Sequence, residues 1–263
     1  RRLRQPAALA ELMPYWRPAA PDASLGWPNA AELLCQYENV SGARPRRIQP
    51  FVHQYPGMDW VVLADRMPAP RLYVSVRGGT TNVPHGHVDL TSFHAVVGGE
   101  KMIATLGPSR YYDTTFSPRR WELFEMAPMS KNVLLVDGVG ITRPAAVTTR
   151  TLRTPWGPGV RLDAAAALGG GRRDNDGVVR YYRLILVMPG RGLLILDTVK
   201  RPHASLFEQR FFTPVRAVPQ PGGFMLQGAR QTAAFACACS EAADLHTAAA
   251  PMTQPSGEPP TML

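Results

Sequence analysis

Cysteine is scarce. Cys35, Cys237 and Cys239 form an odd set of three, which excludes a disulfide framework. On a strand, Cys237-Ala-Cys239 would send both thiols to one face, but no second ligand pair exists to complete a metal site. Long apolar runs are missing too. Runs such as Leu184 to Met188 have the length of a strand and fall far short of the ~18 residues of a membrane-spanning helix. Lysine is almost absent: of 29 basic side chains only Lys101, Lys131 and Lys200 are lysines. The chain starts at Arg1 with no signal segment, which leaves export open and lets the chain be read as part of a longer one.

What is present in quantity narrows the fold. Hydrophobic residues make up 45% of the 263, enough for a core and too many for wholesale disorder. Pro (26) and Gly (23) approach a fifth of the chain, against an ordinary share of about 12%. A helical bundle does not tolerate that much punctuation, whereas many strands joined by turns do. The formal charge is +9, carried by arginine. Guanidinium forks bind carboxylates, sulfates and phosphates through paired hydrogen bonds. Composition therefore admits an acidic partner (nucleic acid, an anionic glycan or an acidic membrane surface) as well as a merely soluble basic surface.

Residues 6–14 have helical spacing at Leu9, Leu12 and Met13 and stop at Pro14. The segment that follows is a proline-rich linker, and residues 31–36 read as a second helical turn or an edge strand. From residue 50 the pattern turns to strand-length apolar runs. Trp60 to Ala64, Arg71 to Arg77, Ser92 to Val97, Lys101 to Leu106, Val133 to Val136, Arg180 to Met188, Leu193 to Val199, Glu208 to Thr213, Gly223 to Gln227 and Ala233 to Cys239 are predicted strands. Gly98-Gly99 and Pro189-Gly190-Arg191-Gly192 mark hairpins, and Asp137-Gly138 a turn. Short, regular spacing without intervening helices predicts an all-β fold, a large antiparallel β-sandwich with a short N-terminal helical remnant. The expected division is residues 1–49 as remnant and linker, 50–245 as sandwich and 246–263 as a flexible tail.

The chemistry concentrates in Asn82-Val83-Pro84-His85-Gly86-His87-Val88-Asp89, followed by Leu90 to Phe93. In an extended chain His85, His87 and Asp89 would share one face. Such a set can hold a metal, or place an imidazole for proton transfer while a carboxylate fixes its tautomer; it can also be a polar loop whose histidines bond nearby backbone. Arg110-Tyr111-Tyr112 and Arg119-Arg120-Trp121 combine guanidinium with aromatic rings, which suit acidic sugars and equally suit loop and core packing. His53 and His203 read as structural or surface histidines, and Asp137 and Asp197 as turn acceptors.

The segment from His85 to Phe93 and its Gly-containing hairpin resemble the start of the heparinase II/III-like domain. Ser130 to Gly140 resembles that family's strand ending in Asp-Gly, Arg180 to Asp197 its paired strands, and residues 50–79 the strands before the His motif. The resemblance spans roughly residues 50–215. It implies a β-sandwich preceded by an α/α toroid, acting on uronate-containing polysaccharides by β-elimination outside the cytoplasm, in the periplasm or as a secreted protein. His85 is then the catalytic residue of the sandwich, a further base or stabiliser facing a toroid tyrosine. A histidine's near-neutral titration suits that task. Asn82, Arg110, Tyr111, Arg119 and Arg120 are the candidate substrate-binding residues, with His87, Asp89 and Lys131 in support.

Several members of that family carry a structural zinc, whose ligand positions fall here on His87, Thr105 and Lys131. Only His87 can bind metal, so no zinc and no other cofactor is expected. Lys131 would instead supply the missing positive charge, or else be an ordinary surface lysine. The implied partners are an acidic polysaccharide and the toroid, with neither nucleic acid nor membrane. Two other readings stand beside this one: a non-catalytic glycan-binding or scaffold module, and a cupin-type metal enzyme built on His85, His87 and a carboxylate.

Overall fold

The computed structural model describes residues 48–67, 69–107, 111–168, 180–251 and 261–262. The predicted helix over 6–14 and the linker lie outside the described residues. The chain divides into two compact units, residues 1–49 with 67–69, and the remainder. The second unit is the one described below.

Among the described residues, eighteen strands run in chain order: β1 (Gln49–Tyr55), β2 (Trp60–Met67), β3 (Leu72–Arg77), β4 (Gly79–Thr80), β5 (Phe93–Val97), β6 (Glu100–Ile103), β7 (Leu134–Val136), β8 (Ala146–Thr154) and β9 (Gly157–Asp163), then β10 (Arg180–Met188), β11 (Gly192–Lys200), β12 (Phe207–Gln209), β13 (Phe212–Thr213), β14 (Arg216–Gln220), β15 (Gly223–Gln227), β16 (Thr232–Ala236), β17 (Ala248–Ala249) and β18 (Thr261–Met262). Two five-stranded antiparallel sheets, ordered β1-β2-β3-β5-β6 and β11-β10-β9-β8-β4, form the body. Three smaller sheets flank them. The core lies between the large sheets. Val61, Leu63, Val74, Val76, Phe93 and Ala95 from the first meet Val147, Val160, Leu162, Tyr181, Ile185 and Val187 from the second. These alternate positions are the inward side of each pleat. The fold is the predicted antiparallel sandwich.

Turn chemistry explains the hairpins. Gly98 and Gly99 both have positive φ (+55° and +82°), the requirement of the tight turn whose twist matches two antiparallel strands. Between β10 and β11, Arg191 N–H donates to Met188 O across Pro189-Gly190, with Gly190 at φ +73°, the proline-then-glycine pattern of a type II turn.

Several expectations are corrected. Asp197 is no turn acceptor. It lies within β11, directly opposite Arg183 on β10. The Glu208–Thr213 strand is two short ones, β12 and β13, and Cys237 and Cys239 fall after β16, both exposed. Near the end of the described residues, β17 pairs with β18 and β18 with β13. The β8–β9 hairpin was not foreseen at all. Its Thr- and Arg-rich sequence and its Pro and Gly residues hide two strands, β8 burying alternate residues at its start and β9 a run from Pro158 to Val160.

Candidate functional site

The segment joining β4 to β5 carries the two motif histidines, and it is a loop rather than an extended strand. Gly86 N–H donates to Val83 O (3.2 Å), closing a turn over Pro84 and His85. His85 has φ +55°, in the left-handed region that a β-carbon disfavours. Proline followed by a positive φ is again the type II pattern, with histidine where glycine is usual. Its ring is exposed at the apex and makes a T-shaped contact with Phe116, at 5.8 Å between centroids. A β-carbon on Gly86 would stand 2.8 Å from Val83 Cγ2 and 3.1 Å from Val83 O, so a larger residue there would force the turn at Val83 to shift.

His87 faces a different environment. Lys131 is wholly buried. Its Nζ lies 3.1 Å from His87 Nδ1 and donates to Leu106 O (2.5 Å) and Glu125 O (2.6 Å). It is not a surface lysine. Burial first, then the charges of Lys131 and Arg120, lower the His87 imidazole to about 4. Burial lowers the Lys131 ammonium to about 8, while the Asp89 and Glu125 carboxylates pull it back up.

Asp89 makes no hydrogen bond to either histidine. Its carboxylate forms a 3.5 Å ion pair with Arg77, and burial pushes its titration up against the pull of Arg77 and Lys131. Arg77 is itself spent on backbone, donating to Met58 O (3.1 Å), Gly78 O (2.6 Å) and Thr80 O (2.9 Å), with its guanidinium 5.6 Å from the Trp60 ring. The predicted shared face of His85, His87 and Asp89 is therefore replaced by three separate attachments. His85 meets an aromatic ring, His87 a buried ammonium and Asp89 a guanidinium. The loop's turn at His85 is what separates them.

All three nevertheless line one open cleft of ≈ 660 Å³, within the usual range for ligand sites. Its other walls are the β1–β2 turn from Pro56 to Trp60, the start of the His loop, and Ala146 to Thr148 of β8. Sequence reading missed Trp60, which presents an exposed ring to this cleft, and the β8 wall. Of the candidate substrate-binding residues that are described, none lines the cleft. Asn82 is exposed next to it. Tyr111 is 72% exposed and packs on Phe116 (5.2 Å), which in turn meets His85. Arg119 is occupied by Glu122 at the surface, and Arg120 Nη2 donates to Gly86 O (3.0 Å), bracing the His loop. Arg110 lies outside the described residues.

The family model described as heparinase II/III-like, C-terminal, matches residues 49–250. The chain belongs to this family. No curated protein matches the sequence. The heparan sulfate lyase HepC from Pedobacter heparinus shares 8% identity at a TM-score of 0.64, covering 98% of this chain and 38% of that one. A mutant of the same lyase gives 9% and 0.65, over 99% and 38%. A heparinase III gene product gives 12% and 0.53, over 76% and 31%. At such identities the likeness is one of fold, and the chain spans about a third of the length of these structures.

Against the zinc that the family resemblance implies, the donor set of this heparinase II/III-like domain does not fit. An ammonium has no lone pair to give a metal, and Lys131 places one against His87 Nδ1. Thr105 is turned to His94, its Oγ1 2.7 Å from His94 Nε2. Among the described residues no three His, Cys, Asp or Glu side chains are grouped to hold a metal. None of the described helices is long and apolar enough to cross a membrane.

Proposed function

We propose that this chain is the sandwich portion of a polysaccharide lyase that cleaves uronate-containing glycans by β-elimination outside the cytoplasm, together with an α/α toroid. The observation that carries the reading is His85: an exposed imidazole held on a strained turn at the mouth of a cleft, in a heparinase II/III-like domain. Non-glycine residues in the left-handed region cost of order 1–3 kcal/mol, persist where the surrounding structure holds them there, and cluster at functional sites.

In β-elimination a base removes the proton on C5 of the uronate. The electron pair left on carbon forms the C4–C5 double bond, and the C4–O bond breaks toward the leaving glycosidic oxygen, which takes a proton from an acid. The C5 proton is too weakly acidic until hydrogen bonds or charge neutralise the neighbouring carboxylate. His85 serves as the base or as a stabiliser of the charge that develops. The toroid supplies the acid and the remaining neutralising groups. The exposed Tyr111 and Phe116 rings extend the surface beside His85 on which a sugar face can pack.

The test is absorbance of unsaturated uronate product, measured for the complete protein against a panel of acidic polysaccharides. Product from at least one of them, lost in His85→Ala, is the expected result. Binding without product would instead establish a glycan-binding module, and neither binding nor product would overturn both readings.

A further inference from the structure

The ammonium of Lys131 has three hydrogens and no acceptor capacity. Three acceptors surround it: His87 Nδ1 at 3.1 Å, Leu106 O at 2.5 Å and Glu125 O at 2.6 Å. Each hydrogen has one partner, so Nδ1 is the ring nitrogen that carries the lone pair. A neutral imidazole bears its single proton on the other nitrogen, Nε2. No hydrogen bond joins Nε2 to the described residues, and the half-buried ring lines the cleft. We propose that Lys131 locks His87 as a neutral imidazole whose Nε2–H is a donor to an anionic oxygen, carboxylate or sulfate, of the bound sugar.

The arrangement has two consequences. Its only free lone pair being committed to Lys131, His87 cannot take a proton from substrate, which leaves His85 as the sole imidazole of the motif available as a base. Behind the ring, a buried positive charge polarises the N–H toward the cleft without placing an ammonium in solvent, and a charge-assisted donor is stronger than a neutral one. The charged side chains at the back of the cleft are not free for that task. Arg77 spends its hydrogens on three backbone carbonyls, and Asp89 would repel an anion. A second proton on the imidazole is opposed by burial and by Lys131 and Arg120, consistent with the lowering of His87 to about 4. His87 thus contacts substrate, and Lys131 is a positioning residue acting through it. The identity of the anion rests on the lyase reading; the tautomer does not.

The tautomer is read by long-range ¹H–¹⁵N correlation on the ¹⁵N-histidine-labelled chain at pH 7. The expected pattern is a protonated Nε2 and an unprotonated Nδ1 for His87, and Lys131→Met should release it to a mixture of tautomers. Should Lys131→Met fail to fold, the wild-type pattern decides alone, and a protonated Nδ1 overturns the proposal. Calorimetry of the complete protein with a heparan sulfate tetrasaccharide tests the donor. His87→Gln keeps an acceptor for Lys131 and a donor for the cleft and should bind within about threefold of wild type. His87→Phe keeps the ring volume and should lose about tenfold or more, a size typical of one charge-linked hydrogen bond. Equal binding by His87→Phe, with wild-type affinity intact, overturns the donor role and leaves the lyase reading standing. Absence of any binding by wild type to this or other uronate glycans overturns both.

Discussion

His85 occupies a backbone conformation in which glycine would be at ease, and that makes a prediction about the cost of function. His85→Gly removes a β-carbon from φ +55°, a relief of about 1 kcal/mol that the greater freedom of glycine in the unfolded chain partly cancels. Thermal melting should therefore show the variant as stable as wild type, or slightly more so. Under the proposed lyase reading, turnover by the complete protein should fall by about 10²–10⁴, the usual loss on removing a general acid–base group. Unchanged turnover would take His85 out of the catalytic set. The neighbouring pair titrates with a defined sign. Folded His87 sits near 4 against an ordinary 6.5, so as pH falls between those values the unfolded chain takes up a proton that the folded chain refuses. Stability drops across that window. Folded Lys131 sits near 8 against an ordinary 10.5. As pH rises from 8 to 10.5 the folded chain is the first to release its proton, and this group's contribution to stability grows. Melting temperatures from pH 4 to 10 should show both limbs, with His87→Gln flattening the acid one and Lys131→Met the alkaline one.

At the scale of elements, one side chain holds the site's two halves together. Arg183 points into the core among Tyr181 and Ile185 of β10, wholly buried, and forms a two-point pair with Asp197 (2.8 and 2.7 Å). It also donates to Thr91 O (2.9 Å), Asn132 O (2.7 Å) and Gln209 Oε1 (2.5 Å). Thr91 ends the His loop and Asn132 follows Lys131, so the arginine fixes the segments that carry His87 and its partner. Asn132 completes the join through Phe93 O and Phe212 N–H, both at 2.7 Å. Removing one partner of a buried ion pair costs about 3–5 kcal/mol, whereas replacing both with apolar groups costs much less. Arg183→Met should lower stability by that amount in urea unfolding, and Arg183→Met with Asp197→Leu should recover a substantial part. Equal losses in the single and double variants would show that the backbone carbonyls, not Asp197, dominate the arginine's role. This centre also marks the limit of what the sequence discloses. The sheets were legible because Val, Leu and Ile alternate with polar residues and Gly-Gly or Pro-Gly closes the turns. The motif was legible because its residue types cluster. Arg183 reads as one more arginine among many, and nothing local reveals that Asp197, Thr91 and Asn132 converge on it. The same holds for Lys131 and His87, which are 44 residues apart. His85, His87 and Asp89 were expected on one extended face, and the turn at His85 broke the assumption that the chain there is a strand.

For the molecule as a whole, the sandwich supplies an exposed imidazole, a donor fixed by a buried lysine and a cleft, and the chemistry it is proposed to join needs more than these. Cleavage requires an acid for the leaving oxygen, which the proposed mechanism places on the toroid. Residues 1–263 produced alone should therefore yield little or no unsaturated product, because losing one acid–base group already costs about 10²–10⁴-fold. Metal should play no part in restoring it. With Lys131 against His87 and Thr105 turned to His94, elemental analysis after dialysis should find well under one zinc per chain, and chelator should leave the melting temperature unchanged. A complete protein that carries the proposed toroid should cleave where the sandwich alone does not, and mixing separately produced toroid with this chain should recover part of that activity. About one tightly held zinc per chain would mean that Asp89 or a residue outside the described segments is a ligand, and that Lys131 is displaced when metal binds. Substantial activity from residues 1–263 alone would mean that the acid lies within this chain, with Tyr111, whose exposed ring packs on Phe116 next to His85, the first residue to replace by phenylalanine.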